Sequence, residues 1–177
     1  MESQPSSPSS SLRIAPGDRI PDVTASTPVG GVVSTRRYYL RRHLALMFTH
    51  CWPCAACAAH LEELGERIGA IRGEASEVIA VVPLVRELAL GPLSCLPFPV
   101  ALVDGTGVHE RFGFVTSSGQ PLAAVVVADS TGTVYEVALA GAEHQLPDPE
   151  EIRSWLQFVS YQCPECWSDG PVWGRQS

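Results

Sequence analysis

The chain has no lysine. All 12 of its basic residues are arginines, they face 19 acidic residues, and the formal net charge is −7. A balance of that sign excludes nucleic acid and anionic membrane surfaces as partners. The local exception is Arg36, Arg37, Arg41 and Arg42 around Tyr38 and Tyr39. It reads as a solvated turn ahead of a strand, with a basic aromatic patch as the alternative. Also missing is any apolar run of the length that spans a bilayer. Met1 to Ser11 is rich in Ser and Pro and has neither the basic nor the apolar region of a secretory leader. We read residues 1–12 as a disordered tail and expect a cytoplasmic location. Cysteine, by contrast, occurs six times. In a reducing compartment, paired Cys-x-x-Cys motifs are more often catalytic or metal-binding than structural. With 177 residues, 45% of them hydrophobic, the chain suits one domain over 13–161, followed by a tail over 162–177.

The organising stretch runs from His43 to Ile71. An unbroken apolar run, Leu44 to Phe48, predicts a buried strand. After it, Cys54, Cys57, Ala58, Leu61, Leu64, Ile68 and Ile71 recur at steps of three and four, the stripe of an amphipathic helix, with Gly73 as its stop. Between them lies Thr49-His50-Cys51-Trp52-Pro53-Cys54. A Cys-x-Pro-Cys tetrad at the start of a helix is a redox address, because the helix dipole and the unpaired first-turn N–H groups favour a thiolate there.

Other elements are legible around this unit. Pro21 to Thr27 and Val32 to Ser34, joined by a Gly turn, predict a hairpin. Arg36 to Arg42 is a connector with one helical turn. Glu77 to Val82 is a β-branched strand closed by Pro83, and the strand–helix–strand order makes it parallel to the first. Leu84 to Leu90 predicts a short helix ended by Gly91-Pro92, Pro97 to Asp104 a short strand, and Val108 to Phe112 a short helix. Leu122 to Ala128 and Thr133 to Leu139 flank an Asp…Gly turn and predict an antiparallel pair. Asp148 caps a final helix with the stripe Ile152, Trp155, Leu156 and Val159, ending near Tyr161.

This order, βαβ then ββα with Cys-x-x-Cys at the first strand-to-helix junction, resembles the thioredoxin fold. The segments Pro16-Gly17-Asp18 with Pro21-Asp22, and Pro97-Phe98-Pro99 with Asp104-Gly105 and Phe112-Gly113, resemble its peroxiredoxin-like branch, the alkyl hydroperoxide reductase/thiol-specific antioxidant (redoxin) group. The resemblance covers residues 14–160. It implies an α/β protein with a central mixed sheet flanked by helices and an N-terminal hairpin, acting as a thiol–disulfide oxidoreductase in antioxidant or redox-homeostasis chemistry. It implies no cofactor, a thiol reductant such as a thioredoxin or a low-molecular-weight thiol, and a disulfide or peroxide substrate. Two departures weigh against peroxidase chemistry. With Cys54 set on the peroxidatic cysteine, Cys51 stands where that family has Thr and Met47 where it has Pro, and its Arg has no counterpart near Gln120-Pro121-Leu122. The tetrad Cys51-Trp52-Pro53-Cys54 resembles instead the thioredoxin dithiol. Pro121 resembles the cis-proline that such proteins set beside their cysteines; an ordinary trans proline at a strand start is the alternative.

On this reading Cys51, at the exposed helix end, attacks, and Cys54 resolves. Pro53, Thr49, His50 and Pro121 support them; His50 either stabilises the Cys51 thiolate or is polar filler. A hydroperoxide reductase with Cys54 as peroxidatic residue is the alternative. Metal binding or redox sensing without turnover is a second one, since Cys51, Cys54, Cys57 and His60 form C-x-x-C-x-x-C-x-x-H and Cys163 with Cys166 could complete a four-sulfur zinc site. We expect no metal, take Cys57 as a buried, inert thiol and Cys95 as incidental. Cys163-Pro164-Glu165-Cys166 is expected to relay electrons to the first pair; a small zinc knuckle is its other reading.

Overall fold

The computed structural model describes residues 13–84, 90–141 and 145–162. The N-terminal tail and the Cys163/Cys166 pair lie outside the described residues. A seven-stranded mixed sheet forms the centre, in the order β2-β1-β5-β4-β3-β6-β7. Its strands are β1 (Thr24–Ser26), β2 (Val32–Ser34), β3 (His43–Phe48), β4 (Ser76–Leu84), β5 (Val100–Asp104), β6 (Ala124–Ala128) and β7 (Val134–Leu139). Among the described residues four helices accompany them: α1 (Ala55–Gly73), α2 (Leu90–Ser94), α3 (Gly107–Phe112) and α4 (Pro149–Ser160). A 3-10 turn, Thr35–Tyr38, occupies the arginine-rich connector. Among the described residues no helix is long and apolar enough to cross a membrane.

β3 lies inside the sheet, parallel to β4 and antiparallel to β6. Its alternate residues feed two separate cores, as the two-residue period of a strand demands. Ala45 and Met47 join one core with Leu61, Leu64, Ile68 and Ile71 of α1 and Ile152, Leu156 and Val159 of α4. Leu44, Leu46 and Phe48 join the other, with Phe112 and Phe114. An uninterrupted apolar run was thus the right signature for a strand covered on both faces.

Three expectations shift. β4 continues through Pro83 to Leu84 instead of closing at the proline. Its pairing with β3 ends at Val81, whereas pairing with β5 includes Pro83 opposite Val103. On the β3 side Pro83 therefore sits at an unpaired edge, where a missing N–H costs little. Most of the helix expected over Leu84–Leu90 falls on 85–89, outside the described residues; Leu84 is strand, and the helix described as α2 runs through Gly91-Pro92, where a stop was expected. Finally, the one cis peptide bond among the described residues joins Trp52 to Pro53, so Pro121 is not a cis-proline. Pro121 forms an isolated antiparallel bridge with Val115, the ordinary extended setting of a proline before a strand.

Asp148 caps α4 as expected, its carboxylate accepting from the N–H groups of Glu150 and Glu151 at 2.9 Å each.

Candidate active site

β3 delivers the chain to the site and buried groups hold it there. Thr49 N–H donates to the Val81 carbonyl (3.0 Å), which extends the β3–β4 ladder by one residue. The Thr49 carbonyl accepts from His109 Nε2 of α3 at 2.9 Å. His109 is fully buried and edge-on to Phe48, with ring centroids 5.2 Å apart. Burial lowers its pKa, opposed by the Thr49 carbonyl, so the ring is neutral with its proton on Nε2. Trp52, only 7% exposed, drives into the α1/α4 core and anchors the middle of the loop. Pro53 is exposed, and Cys51 and Cys54 on either side of the anchored pair are half-buried.

The helix begins later than its apolar stripe suggested. α1 starts at Ala55, and Cys54, in extended conformation, is its N-cap. Two alanines supply the first turn. They are the best helix formers, whereas the residue before a proline is biased away from helical geometry, which keeps Trp52 out. The first-turn N–H groups therefore converge on Cys54 and not on Cys51. Burial opposes ionisation of Cys54, but the N–H groups of Cys57 and Ala56, with the thiols of Cys57 and Cys51, outweigh it and lower its pKa. The side chain makes no cap hydrogen bond by strict geometry, so this pull is one of charge at slightly longer range. Cys51 moves the other way: burial, then the charge and hydrogen bonding of Cys54, raise its pKa.

Cys57 occupies the third helical position, one turn inside, and is 2% exposed. Burial pushes its thiol up to about 12 despite the N–H of His50, with the Cys54 and Cys51 sulfurs adding to the rise. Its Sγ lies 3.3 Å from His50 Nδ1. His50 Nδ1, Cys54 Sγ and Cys57 Sγ all lie within 4.8 Å of one another. The structure thus gathers His50, Cys51, Cys54 and Cys57 at the loop-to-helix junction. His60 is not among them: it is buried farther along α1, its Nε2 without a hydrogen-bond partner, its pKa lowered by burial against the charges of Glu63 and Asp148. Pro121 is bridged to Val115, and Cys95 is an exposed free thiol.

Two contacts at this junction were not foreseen from the sequence. Cys57 is buried, as expected of a residue on the apolar stripe, but its Sγ lies beside His50 Nδ1, and its three-residue spacing from Cys54 repeats that of Cys51 and Cys54. His109 was read only as part of a short helix, and nothing in its local sequence signals the contact to Thr49.

The sequence matches no protein-family model and no curated protein. Solved structures do match. Mycobacterium tuberculosis AhpC superposes with a TM-score of 0.68 at 11% identity, covering 88% of this chain and 99% of its own. Enterococcus faecalis AhpC gives 0.68 at 15%, covering 84% and 98%. The thioredoxin domain of a Bacteroides vulgatus thiol-disulfide oxidoreductase gives 0.62 at 16%, covering 82% and 99%. The fold is the peroxiredoxin-like thioredoxin fold. At these identities the likeness is one of architecture, and the chemistry rests on the cysteines themselves.

Proposed function

We propose that this protein is a thiol–disulfide oxidoreductase in which Cys54 attacks and Cys57 resolves. The observation that carries it is the placement of Cys54 as N-cap of α1, with its pKa lowered while those of Cys51 and Cys57 are raised. The Cys54 thiolate attacks one sulfur of a substrate disulfide, forms a mixed disulfide and expels the other sulfur as a thiolate. Cys57 then attacks the Cys54 sulfur, releasing the second substrate thiolate and closing a Cys54–Cys57 disulfide. A thiol held near 12 needs a base for that step, and His50 Nδ1 at 3.3 Å is placed to take its proton. A thiol reductant, a thioredoxin or a low-molecular-weight thiol in the cytoplasm, then restores the dithiol. Cys51, beside Cys54, is the third thiol, and Cys163/Cys166 remain candidates for relay. The test is exchange with oxidised glutathione. Cys57→Ser is expected to accumulate the mixed disulfide at Cys54, and Cys51→Ser to turn over; trapping by Cys51→Ser but not by Cys57→Ser would show the reverse pairing.

A second reading, hydroperoxide reduction, is favoured by the same placement of Cys54 and by the architecture shared with the AhpC structures. Cys54 would attack the peroxide, releasing an alcohol and leaving a sulfenic acid, which a neighbouring thiol condenses to a disulfide with loss of water. Against it, the groups acting on Cys54 are N–H donors and thiols, with no guanidinium from the described residues. Each absent charge-stabilising donor typically costs about 10²–10³ in rate. Rapid mixing with hydrogen peroxide, followed by Trp52 fluorescence, should show oxidation little faster than that of an ordinary thiolate. Fast, Cys54-dependent oxidation would instead favour this second reading.

A further inference from the structure

The sulfurs that exchange disulfides are only part of what converges at the start of α1. We infer that the reduced protein holds one divalent d10 cation, zinc, on His50 Nδ1, Cys54 Sγ and Cys57 Sγ. These three atoms lie within 4.8 Å of one another, and the His50–Cys57 pair is 3.3 Å apart. A tetrahedral zinc ion with Zn–S of about 2.3 Å and Zn–N of about 2.0 Å separates its ligands by about 3.5–3.8 Å. The observed spacing brackets that value, so rotation of side chains is enough to close the site. The donor set suits the ion. Two thiolates and one neutral imidazole cancel its charge, which a half-buried position requires, and sulfur with imidazole nitrogen is the ligand mixture that zinc prefers over magnesium or calcium.

The frame is already rigid. Cys54 and Cys57 are fixed one helical turn apart by α1, with Cys57 2% exposed. His50 follows Thr49, whose carbonyl is held by buried His109 at 2.9 Å. Half-buried Cys51 falls outside the 4.8 Å set, as does buried His60. Among the described residues no fourth donor belongs to that set, so the site takes three protein ligands from them and leaves the fourth position to solvent. The regular spacing C-x-x-C-x-x-C-x-x-H pointed to His60 as the imidazole; the fold supplies His50 from the opposite side of the loop. Binding displaces a proton from each of the two thiols into solvent, so it strengthens with pH.

This inference goes beyond the redox reading and does not rest on it, because binding is measured on the dithiol with no oxidant present. Anaerobically reduced full-length protein is titrated with Co²⁺, then with Zn²⁺. The expected result is equimolar binding, with thiolate-to-cobalt charge-transfer absorption and the intense visible bands of a tetrahedral ion, both lost when Zn²⁺ displaces cobalt. His50→Ala and Cys57→Ser should each weaken Zn²⁺ binding by about 100-fold or more. His60→Gln and the double replacement Cys163→Ser/Cys166→Ser should leave it in place, with circular dichroism confirming that each variant is folded. Absence of cobalt bands in the wild-type protein would overturn the site while leaving disulfide exchange standing. Binding unchanged in folded His50→Ala, or lost with Cys163 and Cys166, would equally overturn it.

Discussion

The sharpest consequence of the helix starting at Ala55 is a ranking of the thiols that reverses the one expected from the tetrad. Iodoacetamide reacts with thiolates, so the rate at each cysteine follows its ionised fraction, partly offset by the weaker nucleophilicity of more acidic thiols. A free cysteine near 8.5 is about 3% ionised at pH 7. Cys57, near 12, is ionised about 10³-fold less than that, and its burial slows it further. Cys54 lies on the other side of the reference and Cys51 above it. Peptide-resolved alkylation at pH 7 should therefore give Cys54 first, then Cys51, then Cys57, which should react about three orders of magnitude more slowly than a free cysteine. Replacing Cys57 with Ser removes one thiol that helps lower Cys54 but leaves the N–H donors of the first turn, so Cys54 should remain the fastest. Alkylation of Cys51 ahead of Cys54 in the wild-type protein would refute the argument, since it would mean that the N-cap does not decide which sulfur is ionised.

Three further outcomes follow from the packing. Gly113 has φ +72°, and a Cβ there would stand 2.6 Å from Arg13 Cα; Gly113→Ala should cost about 1–3 kcal/mol, read as a lower denaturant midpoint. Phe48 is fully buried among Phe112, Phe114 and His109 at centroid distances of 4.7, 5.1 and 5.2 Å, so Phe48→Ala should cost about 3–5 kcal/mol and loosen the strand that carries the site. His43, His60 and His109 all have folded-state pKa values lowered first by burial. Their unfolded forms bind protons more readily. The stability they contribute is complete above about pH 6.5 and is lost on further acidification; a melting temperature that rises from pH 7 to pH 5 would contradict this.

Much of the fold could be read from periodicity because its cues are local. β3 is apolar at every position after His43, as a strand covered on both faces must be, and α4 carries its cap, acidic first turn and stripe within twelve residues. Pro83 misled because a proline's cost depends on which neighbouring strand is still pairing at that register. That is a property of the sheet and not of the tripeptide around it.

The site was legible as a place, and the order of attack we propose differs from the one the tetrad suggests because of a shift of one helical turn. Apolar spacing counts Cys54 as the first residue of the stripe and leaves open whether the helix begins before or after it. The thiolate-stabilising field, however, extends only over the first turn, so a three-residue change in where the helix starts hands the field from one cysteine to another. Pro53 and Ala55-Ala56 decide the matter: the first disfavours helix at Trp52, the others begin it at once. That choice then reassigns the remaining residues. With Cys54 as N-cap, the cysteine one turn inside is Cys57 and not Cys54, which is why we propose Cys57 as its partner. His50, which adjoins Cys51 in sequence, faces Cys57 in space at 3.3 Å. The polar chemistry of the site therefore follows from where a single helix starts, and the two alanines that carry no chemistry of their own are the residues that set it.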